Sequence, residues 1–316
     1  MLDNTASRGG GIFGYRGASI TLEDSAVSGN VASGGGGIAG GDATRIRLYA
    51  STVSDNHARN GAGGGISVYA DATVTLTDST LSGNSAISDG GGIFGHFRTA
   101  ITLVNATVVG NAAAEAGGGI YGVGENHIAL TNVTVTGNSA GENGGGIYNW
   151  GADGITTLTN SIVAGNAATG SGGDLYGGNS SSHSNLVFAG GNILGSAPVS
   201  FATTTGAPTG TIDGSSRAGL ETVFANVALV DPDGIGGNPA LYAGVAGNNG
   251  GPVATVALRA SDTNLALDGG DDSIASTNDA RGLGRVDVAG IAHNGANVSD
   301  IGAFELQVRS GREASL

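Results

Sequence analysis

The sequence predicts an all-β solenoid, a parallel β-helix of about 27 residues per coil, on three observations. A glycine run followed by a large aliphatic residue recurs, so that Ile12, Ile38, Ile66, Ile93, Ile120, Ile147 and Leu175 succeed one another at intervals of 26, 28, 27, 27, 27 and 28. A second set, Leu22, Leu48, Leu76, Leu103, Leu130 and Leu158, keeps the same beat. An asparagine (Asn30, Asn56, Asn84, Asn111, Asn138 or Asn166) stands eight residues beyond each of those leucines. Self-similarity at a fixed period of tens of residues marks an array in which each unit buries its apolar face against the next.

Each element of the repeat has its own reason. Ile20, Ile46, Val74, Ile101, Ile128 and Thr156 lie two residues before the leucines, and Val27, Val53, Leu81, Val108, Val135 and Val163 lie five after. Spacing by two sends these side chains to one face of a strand, and three short strands per repeat suffice to close a coil. The asparagine column predicts a corner, because Asn tolerates a left-handed backbone and stacked amides can bond along the solenoid axis. A looser column, Asp24, Asp78, Asn105, Asn132 and Asn160, predicts a second corner. The glycine runs allow positive φ and close approach of coils. They recur in every repeat, so they read as scaffold rather than as a phosphate loop, or as the calcium nonapeptide that Gly170 to Asn179 suggests.

The regular repeats span residues 1–178. Asn4 stands eight residues before Ile12, so the chain opens inside a repeat, and a preceding coil or N-terminal cap is expected. After residue 178 the beat fails. Residues 179–305 are rich in Ser, Thr, Gly and Asn and are expected to continue and cap the helix irregularly. Residues 306–316 are expected to be a tail.

Composition narrows the function. All 12 basic residues are arginine, which removes lysine Schiff-base chemistry and the lysine of a Walker phosphate loop despite 62 glycines. A formal net charge of −14 sets nucleic acid and anionic membranes aside as partners. The lack of cysteine removes disulfides, zinc-thiolate sites and thiol nucleophiles. His57, expected in a solvated loop, and His183 and His293, in polar segments, show no metal-ligand spacing. No cofactor is expected; the one ion to consider is calcium, for which Asp268-Gly-Gly-Asp-Asp272 offers oxygen ligands. No apolar run approaches the ~18 residues of a membrane helix, so no membrane insertion by this chain is expected.

One column exceeds what the scaffold requires. Positions one and three beyond each inward isoleucine should face outward, and they hold Phe13, Tyr15, Tyr69, Phe94, His96, Tyr121, Tyr148, Trp150 and Tyr176. These residues either stack coil on coil and stiffen the sheet, or lie beneath a returning C-terminal loop, or form a platform for sugars or a docking partner. The loop beyond adds Asp71, Arg98, Glu125, His127 and Asp153. With coils ~4.8 Å apart, Glu125 and Asp153 fall about 5 Å from each other, near the carboxylate separation of retaining glycosidases. Arg98 is placed to lower a carboxylate pKa or to hold an acidic sugar. Glu125, Asp153 and Arg98 are therefore the candidate catalytic set.

Two resemblances cover most of the chain. The alternation of Gly35-Gly-Gly-Ile38 with Val27-Ser-Gly-Asn30, and its copies, resembles the polymorphic outer-membrane-type repeats of bacterial right-handed β-helix proteins, with Val or Leu where those repeats usually have Phe. Gly191-Asn-Ile-Leu-Gly195, Asn249 to Leu258, Leu265-Ala-Leu-Asp-Gly269, Asp279-Ala-Arg-Gly282 and Asp300-Ile-Gly-Ala-Phe-Glu305 resemble a choice-of-anchor Q domain. The resemblances imply a right-handed solenoid that is secreted or displayed on a bacterial surface; they do not imply a catalytic activity. Only eleven residues follow Glu305, with no sorting motif or hydrophobic tail. The expected function is a structural or adhesive extracellular protein presenting its aromatic face to a glycan, a surface protein or another copy of itself. The alternative is a polysaccharide lyase or glycoside hydrolase working in the groove beside that face.

Overall fold

The computed structural model describes residues 1–179, 182–231, 240–286 and 298–307. The third coil shows the unit: Ile66–Tyr69, then Thr73–Thr77, Thr80–Ser82 and Ser85–Ala86. Each strand pairs in parallel with its equivalents one coil away, and the registers match the sequence columns, as in Ile66↔Ile93, Leu76↔Leu103 and Leu81↔Val108. The solenoid therefore has three walls. Sheet I stacks the seven strands that follow the glycine runs, from Ile12–Gly14 to Leu175–Tyr176. Sheet II carries two bent segments per coil, and sheet III the two-residue strands that follow the asparagine corner.

The interior is filled by the aliphatic columns. Ile38, Ile66, Ile93 and Ile120 from sheet I and Ile46, Leu76, Leu103 and Leu130 from sheet II are essentially fully buried in one continuous core. Burying a side chain of this size stabilises by about 1.5–3 kcal/mol, so the ladder of coils is held chiefly by these columns.

The asparagine column bonds along the axis as expected, but its backbone is not left-handed. The positive φ falls one residue earlier, on Gly29, Asp55, Gly83, Gly110, Gly137 and Gly165. With the bend taken there, each asparagine points inward and is free to ladder. Nδ2 of Asn30, Asn56, Asn84 and Asn111 donates to Oδ1 of the next coil's asparagine at 2.9 Å, and each backbone N–H reaches the same oxygen. The last donor, Asn166 Nδ2, ends on Asp174 Oδ1 at 2.9 Å. Asp174 is buried, and burial pushes its carboxyl up to about 6. The looser column does adopt the left-handed region, with φ between 45° and 52° at Asp24, Asp78, Asn105, Asn132 and Asn160.

Beyond residue 178 the register runs on at a longer interval. Strand Asn185–Leu194 pairs in parallel with Ile155–Val163, with Thr156↔Leu186 and Ile162↔Ile193 in register and an irregularity between Thr159 and Ser161. Thr203–Thr205 and Gly210–Thr211 pair with it in turn. The chain then folds back along sheet II. A short helix, Arg217–Leu220, a hairpin of Val227–Val230 with Leu241–Gly244, and the segments around Leu258, Leu267 and Phe304 form a second apolar cluster against Ile162 and Ile193.

This return lies on the threonine flank of sheet II, not over the aromatic strands. Thr80, Thr134 and Thr136, whose columns point outward, are buried beneath it. Thr80 Oγ1 donates to the Ala254 carbonyl (2.6 Å), while Thr134 Oγ1 accepts from Ala303 N and Thr136 Oγ1 from Gly244 N, both at 3.2 Å. The looser Asx column docks the same segment: Asn105 Nδ2 donates to the Asn278 carbonyl (2.8 Å) and Asn160 Nδ2 to the Asp271 carbonyl (3.0 Å). Two buried ion pairs, Arg281–Asp279 at 2.6 Å and Arg285–Glu305 at 2.9 Å, tie the motif-bearing pieces together. Of the expected tail, Leu306 is anchored by its N–H to Asp300 Oδ2 at 2.7 Å. Residues 308–316, like His293, lie outside the described residues.

Candidate functional site

Sheet I places the aromatic column as the spacing required, but its members divide into two groups. Phe94, Tyr121 and Tyr148 are 7–8% exposed, and Trp150 and Tyr176 are half-buried against them. They stack coil on coil, with ring centroids 5.7 Å apart for Phe94–Tyr121, 5.0 Å for Tyr121–Tyr148 and 4.9 Å for Tyr148–Tyr176. The expectation of one outward-presented aromatic face is thus corrected: this part of the column is a satellite core. The loop ahead of each strand folds over the rings, and Gly117, at φ +66°, lets it do so, since a Cβ there would meet Tyr121 Cβ at 2.5 Å.

The other group is exposed. Phe13, Tyr15 and Tyr69 are 49%, 48% and 41% accessible, and His96 is exposed beside Tyr69, 5.8 Å between ring centroids. The column is broken between Phe13 and Phe94, where the second and third coils carry Ala39 and Ser67 in register with them, and Tyr69 of the third coil lies 5.8 Å from the Phe94 ring. The missing rings leave a cavity of about 460 Å³, walled by Phe13 and Tyr15 on one side and Tyr69 on the other, with Ala39 and Ser67 on its floor and Arg8, Ser33 and Asp42 on its rim. Phe13 and Tyr15 are near-parallel (22°), and Arg16 lies 5.2 Å over the Tyr15 ring. Ser67 is 1% exposed, and its Oγ has no hydrogen-bond partner. Burying a hydroxyl without a partner is costly. The interruption at Ala39 and Ser67 was visible in the repeat alignment, but only as an absence.

Of the candidate catalytic residues, Arg98 is already engaged. Arg98 donates bidentately to Asp71, Nε to Oδ1 at 2.7 Å and Nη2 to Oδ2 at 2.9 Å, and its guanidinium lies 4.5 Å over the Phe97 ring. Hydrogen bonding to Arg98 lowers the Asp71 carboxyl. Glu125 and Asp153 are exposed on their loops, and no ion pair joins either to Arg98. Glu125 contributes only a minor share of the raised basicity of Arg98, after Asp71. A smaller cavity of about 200 Å³ lies nearby, lined by His96, Phe97, Val123 and Trp150, whose Nε1 is buried without a partner.

Sequence reasoning overlooked an acidic bank on the other side of the rings. Ser88 Oγ reaches Glu115 Oε2 at 3.0 Å and Asp89 Oδ2 at 3.2 Å, and Ala116 N donates to Asp89 Oδ1 at 3.2 Å. Burial, then the charge of Glu115, pushes Asp89 up to about 6. Burial likewise raises the Tyr148 hydroxyl to about 12, with Tyr121 raised further in the same direction. Among the described residues no group of three or more histidine or carboxylate side chains is arranged to hold a metal ion. In the Asp268–Asp272 turn, Asp271 caps Ser273 N at 2.9 Å and Asp272 accepts from Ser299 N at 2.9 Å, so these carboxylates serve the backbone. His57 is not in a loop: it lies in the strand His57–Ala58, with Nδ1 2.8 Å from Ser85 Oγ. No described helix is long and apolar enough to cross a membrane.

Neither the curated proteins nor the solved structures contain a match to the chain. The model of the right handed beta helix region matches residues 1–163, more than half of the 316. That stretch is the one in which every strand pairs in parallel with its counterpart a coil away and the asparagines ladder without a gap, and on both grounds the chain belongs to the right-handed β-helix family.

Proposed function

We propose that this chain is an extracellular structural or adhesive β-helix, secreted or held at a cell surface, that binds a glycan across the N-terminal part of sheet I. The observation that carries the reading is the division of the aromatic column. Where the rings are contiguous they bury one another, and where the column is broken the flanking rings are exposed around a cavity with polar groups on its rim. Exposed aromatics grouped around a concavity are a recurrent feature of interaction sites, and an aromatic ring offers an apolar face to the C–H face of a sugar. The enzymatic alternative is weaker, since Arg98 already holds Asp71 and, among the described residues, no second carboxylate is paired with it.

The test is a glycan array probed with the full chain, run beside an assay for new reducing ends on each bound polysaccharide. Binding without release of reducing ends is the expected result. Release that disappears in Glu125→Gln or Asp153→Asn would establish the hydrolase reading instead.

A further inference from the structure

Resting on that reading, we infer that the notch at the second and third coils is a subsite for an uncharged sugar ring. The walls set the shape. Phe13 and Tyr15 face Tyr69 across two coils that carry only Ala39 and Ser67, and the volume of about 460 Å³ falls in the range of small-molecule pockets. A flat ring with apolar faces and polar edges matches aromatic walls and a polar rim.

The rim sets the charge. Arg8 and Asp42 are exposed, and neither is in an ion pair among the described residues, so a guanidinium and a carboxylate both address the cavity. A guanidinium only donates hydrogen bonds and an ionised carboxylate only accepts them. Sugar hydroxyls, each both donor and acceptor, can serve either group. The carboxylate of an acidic sugar can serve Arg8 but is repelled by Asp42 and by a chain of formal net charge −14.

Filling the notch is a clean perturbation, because the scaffold already accommodates rings at these positions. Ala39 and Ser67 are in register with Phe13 and Phe94, and the glycines ahead of them, Gly35 (φ +62°) and Gly63 (φ +74°), repeat the geometry of Gly117 (φ +66°) and Gly144 (φ +65°) ahead of Tyr121 and Tyr148. The double variant Ala39→Phe/Ser67→Phe should therefore fold and close the cavity.

The experiment is isothermal titration of the full chain, wild type and variant, with oligomers of glucose, galactose and mannose and with a galacturonate oligomer of equal length. At least one neutral oligomer should bind. Its affinity should fall on the order of tenfold or more in the filled variant, and also in Asp42→Asn, which leaves the floor and walls untouched. Neutral binding that survives both changes overturns the notch assignment while leaving the proposed glycan-binding face standing. Galacturonate binding as tight as the neutral oligomer overturns the uncharged assignment. No binding by any oligomer overturns both readings.

Discussion

Removing one rung from the asparagine ladder tests whether it holds the coils together or merely accompanies their stacking. In Asn111→Ala the Nδ2 bonds to Asn138 Oδ1 (2.9 Å) and to the Leu81 carbonyl (3.0 Å) are lost. The acceptor for Asn84 goes too, at 3.0 Å from its backbone N–H and 2.9 Å from its Nδ2. Asn84 Nδ2 keeps the Val53 carbonyl at 2.9 Å, but its N–H is left without a partner at a site that is 0% exposed, where bulk water does not reach. One orphaned buried donor costs about 1–3 kcal/mol and each of the three other lost bonds about 1 kcal/mol, so the variant should lose about 4–6 kcal/mol. The measurement is equilibrium urea unfolding followed by the β-sheet circular dichroism signal, with the slope compared between proteins. The control is Asn60→Ala, an exposed residue whose side chain makes a single 3.5 Å contact, expected to stay within about 0.5 kcal/mol of wild type. A loss below about 1 kcal/mol, at unchanged slope, would refute the claim that the ladder stabilises the fold.

Three further outcomes follow from the same geometry. Tyr121→Ala should cost about 3–5 kcal/mol, because the ring is buried between Phe94 and Tyr148, whereas Phe13→Ala should change stability by no more than about 0.5 kcal/mol; thermal denaturation of the two variants checks the division of the column. Asp174 has a folded pKa of about 6 against an ordinary 3.8, so the native state holds a proton that the unfolded chain has released. Its burial penalty is absent below the lower value, grows as pH rises between the two, and is complete above about 6, amounting to about 3 kcal/mol. Unfolding free energies at pH 4 and pH 7 should thus show Asp174→Asn gaining on wild type by about that amount, and a pH-independent difference would sink the assignment. Thr134→Val leaves Ala303 N–H unpaired beneath the returning segment, at a cost of about 1–3 kcal/mol, and hydrogen exchange should report faster opening there than in the core strands of the solenoid.

The solenoid was legible because its determinants are periodic. A column such as Ile38, Ile66 and Ile93 repeats one physical demand, burial at a fixed register, and repetition is what a sequence displays best. The left-handed bend was assigned to the wrong residue for an instructive reason: Asn suits both a positive φ and an amide ladder, and only the backbone shows that Gly83 takes the first role while Asn84 takes the second. Asp174 has no counterpart in the other repeats because it ends the ladder, at a position where only an acceptor is required. The strand Asn185–Leu194 was hidden by an interval that lengthens to 30 and 31 residues and by the irregularity near Thr159. The docking of the C-terminal segment was illegible for a different cause. Its contacts, such as Thr80 to Ala254 and Asn105 to Asn278, join residues more than 170 apart with no shared period.

The candidate site shows the limit of the same logic. Counting aromatics at outward positions finds the column but inverts its meaning, since rings at successive coils, about 4.8 Å apart, are close enough to bury one another. A contiguous run such as Phe94, Tyr121, Tyr148 and Tyr176 is therefore spent on stability and has few ring faces left to offer. Binding capacity arises where the run stops. Ala39 and Ser67 remove two rings, and the faces of Phe13, Tyr15 and Tyr69 that would have packed against them are left open. On a β-helix, then, the residues that break a stacked column carry more information about function than those that extend it, and in this chain the break falls on the sheet that the described residues of the returning C-terminal segment leave uncovered.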